Sequence, residues 1–343
     1  MAGPDAQARL DEALELHKSK RLDEAEAIYR ELLETLPQSA LVHNMLGVLE
    51  GQRQNHKEAI RWLESAIGIN ERIADFHDNL GAALLATGRV EDAQRRFRKA
   101  LDLQPERDSA RAQLARTLLP GEAYPALIER VLRWREPKVY IEFGIRDGRT
   151  LALARKPTFA IGVQRNPSVS ERFEAETRVY DMLPQEFLES GRMEAFTGRK
   201  SFDVALLRAP RNLEAAYDLF AAVEGFAAKD AIVILHGTLP PDPVAGGPDR
   251  QSKFWVGDQW KLVPCLMAVR PELTLFSVPA YPVGLTFVTG LRRRSKQLEK
   301  NRDENIAAFA ATPFPPPEDW KKAFNLGSEN WSAIRRRLGK AAG

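Results

Sequence analysis

Val139 to Thr150, V-Y-I-E-F-G-I-R-D-G-R-T, decides how the chain folds. Val139, Tyr140 and Ile141 read as a strand buried on both faces. Gly144 and Gly148 break it into a turn, and Leu151 to Ala154 predict the start of an apolar helix. That succession is the first β-α unit of a parallel sheet, and ligands in such sheets sit outside the carboxyl ends of the strands. The glycines let the backbone approach a ligand closely, and Glu142 can accept hydrogen bonds from hydroxyls or an amine. The spacing E-x-G-x-x-x-G, unlike the G-x-G-x-x-G of dinucleotide folds, suits a nucleoside cofactor more than a nicotinamide one. A strand and turn with no ligand is the competing reading.

Downstream, Phe159 to Val163, Val179 to Met182, Asp203 to Leu207 and Ala231 to Leu235 read as further strands. Asn212 to Ala227 reads as a helix between two of them. A loop rich in proline and glycine, Gly237 to Gly257, precedes a helix at Asp258 to Ala268. Leu273 to Val278 and Gly284 to Thr289 then close the sheet. Upstream, residues 6 to 107 repeat with a period of 34: Ala25, Ala59 and Ala93 are followed by Tyr29, Leu63 and Phe97, then by Pro37, Glu71 and Pro105. Leu46-Gly47 and Leu80-Gly81 mark the matching place in the first helix of two repeats, where the first copy has Glu12-Ala13. Small residues let paired helices approach, large ones fill the groove, and proline stops the second helix.

The chain has 343 residues, 44% hydrophobic and 28% charged, which is enough for two globular domains. One cysteine, Cys265, excludes an intramolecular disulfide framework. No apolar run approaches the roughly 20 residues of a membrane span. Met1 to Arg30 lacks the apolar core of a secretory signal, so a cytoplasmic location is expected. A net charge of +3 and a pI near 8.9 are too mild to imply nucleic acid.

The three aligned copies resemble the tetratricopeptide repeat, which implies a protein partner. A helix at Ser109 to Leu118 is expected to cap the array before Leu119-Pro120-Gly121 breaks it. The expected organisation is therefore a repeat array over 1–119, an α/β domain over 120–290 and a basic helical tail over 291–343.

The glycine loop resembles motif I of class I S-adenosylmethionine-dependent methyltransferases. The resemblance extends over about 136–290. It includes Ile161-Gly162-Val163, Phe202-Asp203-Val204 and W-V-G-D-Q-W-K from Trp255 to Lys261, the last similar to a segment of bacterial methyltransferases. It implies a Rossmann-like sheet flanked by helices, with an antiparallel last strand. It also implies S-adenosylmethionine as cofactor, contacts to it at Glu142, Gly144, Gly148, Gln164 and Asp181, and catalytic groups at His236 and Asp258. Three acids of the family pattern are missing: Gln164 ends the second strand, Arg208-Ala209-Pro210-Arg211 follows the fourth, and Gly237 follows His236. An amide, a cation and a glycine in their place reverse the local potential, so no metal is expected and an anionic ligand is favoured.

Other residues carry two readings. His236 suits a general base or a hydrogen-bonded loop histidine. Trp255 and Trp260 suit a lid over a sugar or simple packing. The tail, with Arg292-Arg293-Arg294, Pro313 to Pro317 and a helix at Ser328 to Leu338, suits contact with an acidic partner or a membrane surface, or packing on its own domain. His43 and His77 read as packing and Cys265 as an inert thiol. Two functions follow: metal-independent O-methylation of a sugar or other small hydroxyl substrate, or a non-catalytic tetratricopeptide adaptor.

Overall fold

The computed structural model describes residues 4–208, 210–315 and 317–340. Ala209 of the arginine stretch and Pro316 of the proline run lie outside the described residues. The chain divides into two compact units, Met1–Thr117 and Leu118–Gly343.

The first unit consists of helical hairpins. Its helices are α1 (Pro4–Lys18), α2 (Leu22–Thr35), α3 (Ala40–Gln52), α4 (His56–Ile69), α5 (Ala74–Ala86), α6 (Val90–Leu103) and α7 (Asp108–Leu118). Ala25, Ala59 and Ala93 are fully buried, as the period requires, and Tyr29, Leu63 and Phe97 fill the spaces beside them. A Cβ on Gly47 would lie 2.5 Å from Leu63, and one on Gly81 would lie 2.6 Å from Phe97. Only glycine lets the paired helices close to that distance. The turn inside each hairpin also repeats: Lys20 (φ 59°), Gln54 (φ 66°) and Gly88 (φ 78°) are all left-handed, and they are one period apart. Asn79 donates to Asn44 across neighbouring repeats at 3.0 Å. His43 and His77 each bond a backbone carbonyl, of Ser39 and Glu71. Helix α7 buries Ala110, Leu114 and Ala115 at the end of the array.

The second unit opens with a short strand, β1 (Gly121–Ala123), and helix α8 (Tyr124–Arg135). Strands β2 (Val139–Phe143), β3 (Phe159–Val163) and β4 (Glu176–Tyr180) follow, then helices α9 (Pro184–Glu189) and α10 (Arg192–Thr197). Next come β5 (Phe202–Leu207), α11 (Leu213–Glu224), β6 (Ala227–His236) and α12 (Leu262–Val269). Strands β7 (Thr274–Val278), β8 (Ala280–Tyr281) and β9 (Leu285–Thr289) complete the count. The tail carries α13 (Gln297–Lys300), α14 (Arg302–Ala310), α15 (Trp320–Ala323) and α16 (Trp331–Lys340).

Seven strands form a mixed sheet in the order β4-β3-β2-β5-β6-β9-β7, and β1 pairs with β8 separately. The pairs from β4 to β6 are parallel, while β9 runs antiparallel to both β6 and β7. Alternate residues feed two cores: Val139, Ile141, Phe143, Ala205, Leu207, Val233 and Leu235 pack under α9 to α12. Tyr140, Val204, Leu206, Ile232 and Ile234 pack on the opposite face under α8 and α16.

One expectation fails here. No α-helix follows the glycine turn, and a single 3-10 turn at Leu151–Leu153 stands in its place. Pro157 forbids continuation, because it lacks an N–H and pushes Lys156 out of helical geometry. The turn presses on β3, where a Cβ at Gly162 would meet Leu151 at 2.8 Å. Residues 164–175 form no helix either. The face left bare is covered in part by the tail: Ile334 and Leu338 of α16 are buried in that core. Of the two readings of the basic tail helix, packing on its own unit is the one observed.

Candidate functional site

The order of the parallel strands reverses between β2 and β5, and the crevice at such a point is where a ligand normally lies. Glu142 is the last acid before the turn at Gly144 (φ 85°) and Gly148 (φ 86°). Phe143 stands opposite Leu207, so Arg208 emerges beside Gly144. Its main-chain N–H donates to the Phe143 carbonyl at 2.9 Å.

The crevice is filled by protein. Arg208 Nη1 lies 3.0 Å from Glu142 Oε1, and the two side chains are 4% and 0% exposed. Thr150 donates to the same oxygen at 2.6 Å, and Tyr140 donates to Oε2 at 3.1 Å. The other Arg208 nitrogen, Nη2, donates to the Tyr124 hydroxyl, and the guanidinium sits 5.1 Å from the Tyr124 ring. Complete burial pushes the Glu142 carboxyl up to about 7, although Arg208, Thr150 and Tyr140 each pull it back. Burial lowers the Arg208 pKa, and the Glu142 charge together with Tyr124 and Tyr140 offsets this, leaving it raised.

His236 ends β6 with its ring 4.5 Å from that of Tyr124. Its Nε2 is buried and has no hydrogen-bond partner among the described residues. Burial holds its pKa well below the ordinary value, and the charges of Arg208, Arg146 and Arg211 push the same way. The ring is therefore neutral and a weak base.

The remaining candidates are held in the scaffold. Asp258 Oδ1 accepts from the Leu213 N–H at 3.0 Å, which satisfies a free donor at the start of α11, and Oδ2 pairs with Lys261 at 3.2 Å. Gln164 Oε1 accepts from the Arg146 N–H at 2.8 Å, and Asp181 Oδ1 accepts from the Asn166 N–H at 3.0 Å. Trp260 is buried against Phe314 and Phe324, so it packs and forms no lid. Trp255 is half-buried, and its indole N–H donates to Gly247. Cys265 is buried, and burial pushes its thiol up to about 12.

Beside the crevice is an open cavity of about 560 Å³, whose lining includes Gly144, Val163, Gln164, Leu183, Pro210 and Leu219. The sequence reading missed the parts played here by Tyr124, Arg146 and Arg211. The signal for Arg211 was its place in the pair of arginines flanking Ala209-Pro210. Arg211 is fixed by its own bonds: it donates to the Trp255 carbonyl and lies 5.1 Å from the Trp255 ring. A Cβ on Gly257 (φ 72°) would fall 1.7 Å from the Arg211 carbonyl, so the glycine of W-V-G-D-Q-W-K is what lets this loop close. Among the described residues, no group of three or more His, Cys, Asp or Glu side chains could hold a metal ion. None of their helices is long and apolar enough to cross a membrane.

The tetratricopeptide-repeat family matches residues 74–107. Those residues are a tetratricopeptide repeat. They comprise α5, α6 and the loop that leads to α7, and the earlier hairpins share the repeat's period and packing. No match is found among curated proteins. Among solved structures, the first tetratricopeptide domain of Spaghetti (RPAP3), bound to an HSP90 peptide, is 19% identical with a TM-score of 0.32. It covers 33% of this chain and 89% of its own. An O-GlcNAc transferase of Thermobaculum terrenum is 20% identical with a TM-score of 0.34 over 60% of this chain, and the match spans 46% of the transferase. MamA of Desulfovibrio magneticus is 18% identical, with a TM-score of 0.32 over 34% of this chain and 65% of that one.

Proposed function

We propose that the chain is a non-catalytic adaptor, with a tetratricopeptide array that docks a protein and a methyltransferase-like sheet unit that has lost its chemistry. The observation that carries this reading is the buried pair Arg208–Glu142. A nucleoside bound across the edge needs free acceptors at the ends of adjacent strands. Glu142 gives both oxygens to protein donors, and Gln164 gives its oxygen to the Arg146 N–H. The shortened turn after the glycine loop also leaves no helix N-terminus facing a ligand there. As arranged, these residues do not fit S-adenosylmethionine.

A second reading has one observation in its favour. The cavity beside Gly144 and Gln164 adjoins the strand ends where the cofactor of a methyltransferase would be sought. In that reading the unit methylates a hydroxyl of a sugar or other small molecule without metal, and positioning supplies most of the rate.

Calorimetric titration of the full chain with S-adenosylmethionine and S-adenosylhomocysteine separates the two. The adaptor reading expects no heat of binding at millimolar concentration from protein that melts cooperatively. Saturable micromolar binding of either compound overturns it and leaves the enzyme.

A further inference from the structure

Charge at this edge of the sheet is not balanced. Arg208 is paired with Glu142, and the nearby Arg149 and Arg165 are paired with Asp147 and Glu186. Arg146, Arg211 and Arg250 have no carboxylate partner among the described residues. They come from three segments: the glycine turn after β2, the segment between β5 and α11, and the loop between β6 and α12. Burial lowers the Arg211 pKa, and Arg146, Arg250 and Arg208 all lie close enough to lower it further. Like charges gathered without a counter-charge raise one another's energy, and an anion placed among them relieves this.

Two features make this more than a basic surface. Arg211 is held by the Trp255 carbonyl and ring and by the close approach of its backbone to Gly257, so its guanidinium is ordered before any ligand arrives. The cluster also borders the cavity of about 560 Å³. Gly144 and Pro210 line that cavity, two residues from Arg146 and one from Arg211, and Gln164 in its wall accepts from the Arg146 N–H.

We propose that the carboxyl edge of the sheet binds a small phosphate ester. Its oxyanion is held by Arg146 and Arg211 with support from Arg250, and its organic part lies in the cavity beside Gln164. Guanidinium groups match the geometry of phosphate oxygens, and the largely apolar wall accepts a ring or chain. The proposal stands whether or not methyl transfer occurs, because it requires neither S-adenosylmethionine nor a free Glu142.

The test uses the full chain and three probes: adenosine 5′-monophosphate, adenosine and inorganic pyrophosphate. The monophosphate is expected to bind at least about tenfold more tightly than adenosine, to be displaced by pyrophosphate and to weaken with salt. Arg146→Ala should remove most of that advantage and leave the melting temperature unchanged, since this exposed side chain has no hydrogen-bond or ion-pair partner among the described residues. Arg146→Lys should restore part of it. Equal binding of monophosphate and adenosine, wild-type affinity in Arg146→Ala, or no binding of monophosphate and pyrophosphate at millimolar concentration overturns the proposal.

Discussion

Arg208 Nη1 and Glu142 Oε1 lie 3.0 Å apart, on residues 66 positions apart in sequence and almost wholly removed from water. Their juxtaposition follows from the pairing of β2 with β5, which brings the residue after one strand end beside the acid of the other. A buried pair of this kind contributes little net stability, but a lone survivor is costly. Above pH 7, where Glu142 is ionised, Arg208→Ala should therefore destabilise the second unit by about 3–5 kcal/mol. Adding Glu142→Gln should recover part of the loss, because no charge is then stranded. A urea titration followed through the transition of this unit reads both, and additive losses in the double variant would show that the pair is not coupled.

The repeat array offers a test with two opposite signs. Gly81→Ala places a methyl group 2.6 Å from the Phe97 ring, and overpacking of this sort costs about 1–3 kcal/mol. Gln54 occupies the left-handed turn position that glycine fills at residue 88. Gln54→Gly should thus raise stability by about 0.5–1 kcal/mol, since the side chain is strained there. Thermal melts of the two variants should shift in opposite directions. A lower melting temperature for Gln54→Gly would contradict the strained turn.

A second buried pair fastens the tail. Arg270 donates to both oxygens of Glu224 at 2.7 and 2.8 Å, and the Arg292 N–H donates to Glu224 at 3.0 Å. Glu224→Ala strands Arg270 with the more exposed Glu272 and should cost about 3–5 kcal/mol. It should also speed amide exchange around Arg292. Glu272→Ala removes a partner near solvent and should cost about 1 kcal/mol or less. Similar losses from the two variants would remove the special role of Glu224.

The repeats were legible because their period is carried by residues whose size alone matters. The strands were legible because alternate residues must be apolar on both faces of a covered sheet. All seven predicted strands are present, each shifted by no more than a few residues. The helix expected after Leu151 was not legible as absent from the apolar run itself; Pro157 was the signal. The fate of Glu142 was hidden for another reason. Its partner is set by strand order, and nothing local to V-Y-I-E-F-G shows that Arg208 will fold over it. The loss of acids at Gln164, Arg208 and Gly237 was legible, since charge type can be read without coordinates.

The pH dependence of the second unit should show two groups working against each other. Glu142 titrates at about 7 in the folded chain against an ordinary 4.5, first because of its burial. A proton therefore binds the folded form more tightly, so this contribution is fully present below 4.5 and is lost as pH rises through about 7. His236 has the opposite sign. Burial and the arginine charges hold it well below 6.5, so its contribution is present above 6.5 and is lost as pH falls. As pH falls below 6.5 the two slopes oppose, and the wild type should vary less there than either single variant. Glu142→Gln should expose the histidine slope, with stability rising toward pH 6.5 by up to about 1.4 kcal/mol per unit. His236→Asn should expose the carboxyl slope, with stability falling as pH approaches 7, and the double variant should be flat. Urea midpoints at several pH values between 4.5 and 7.5 decide the matter, and a Glu142→Gln profile superimposable on wild type would show that the buried carboxyl keeps its charge throughout.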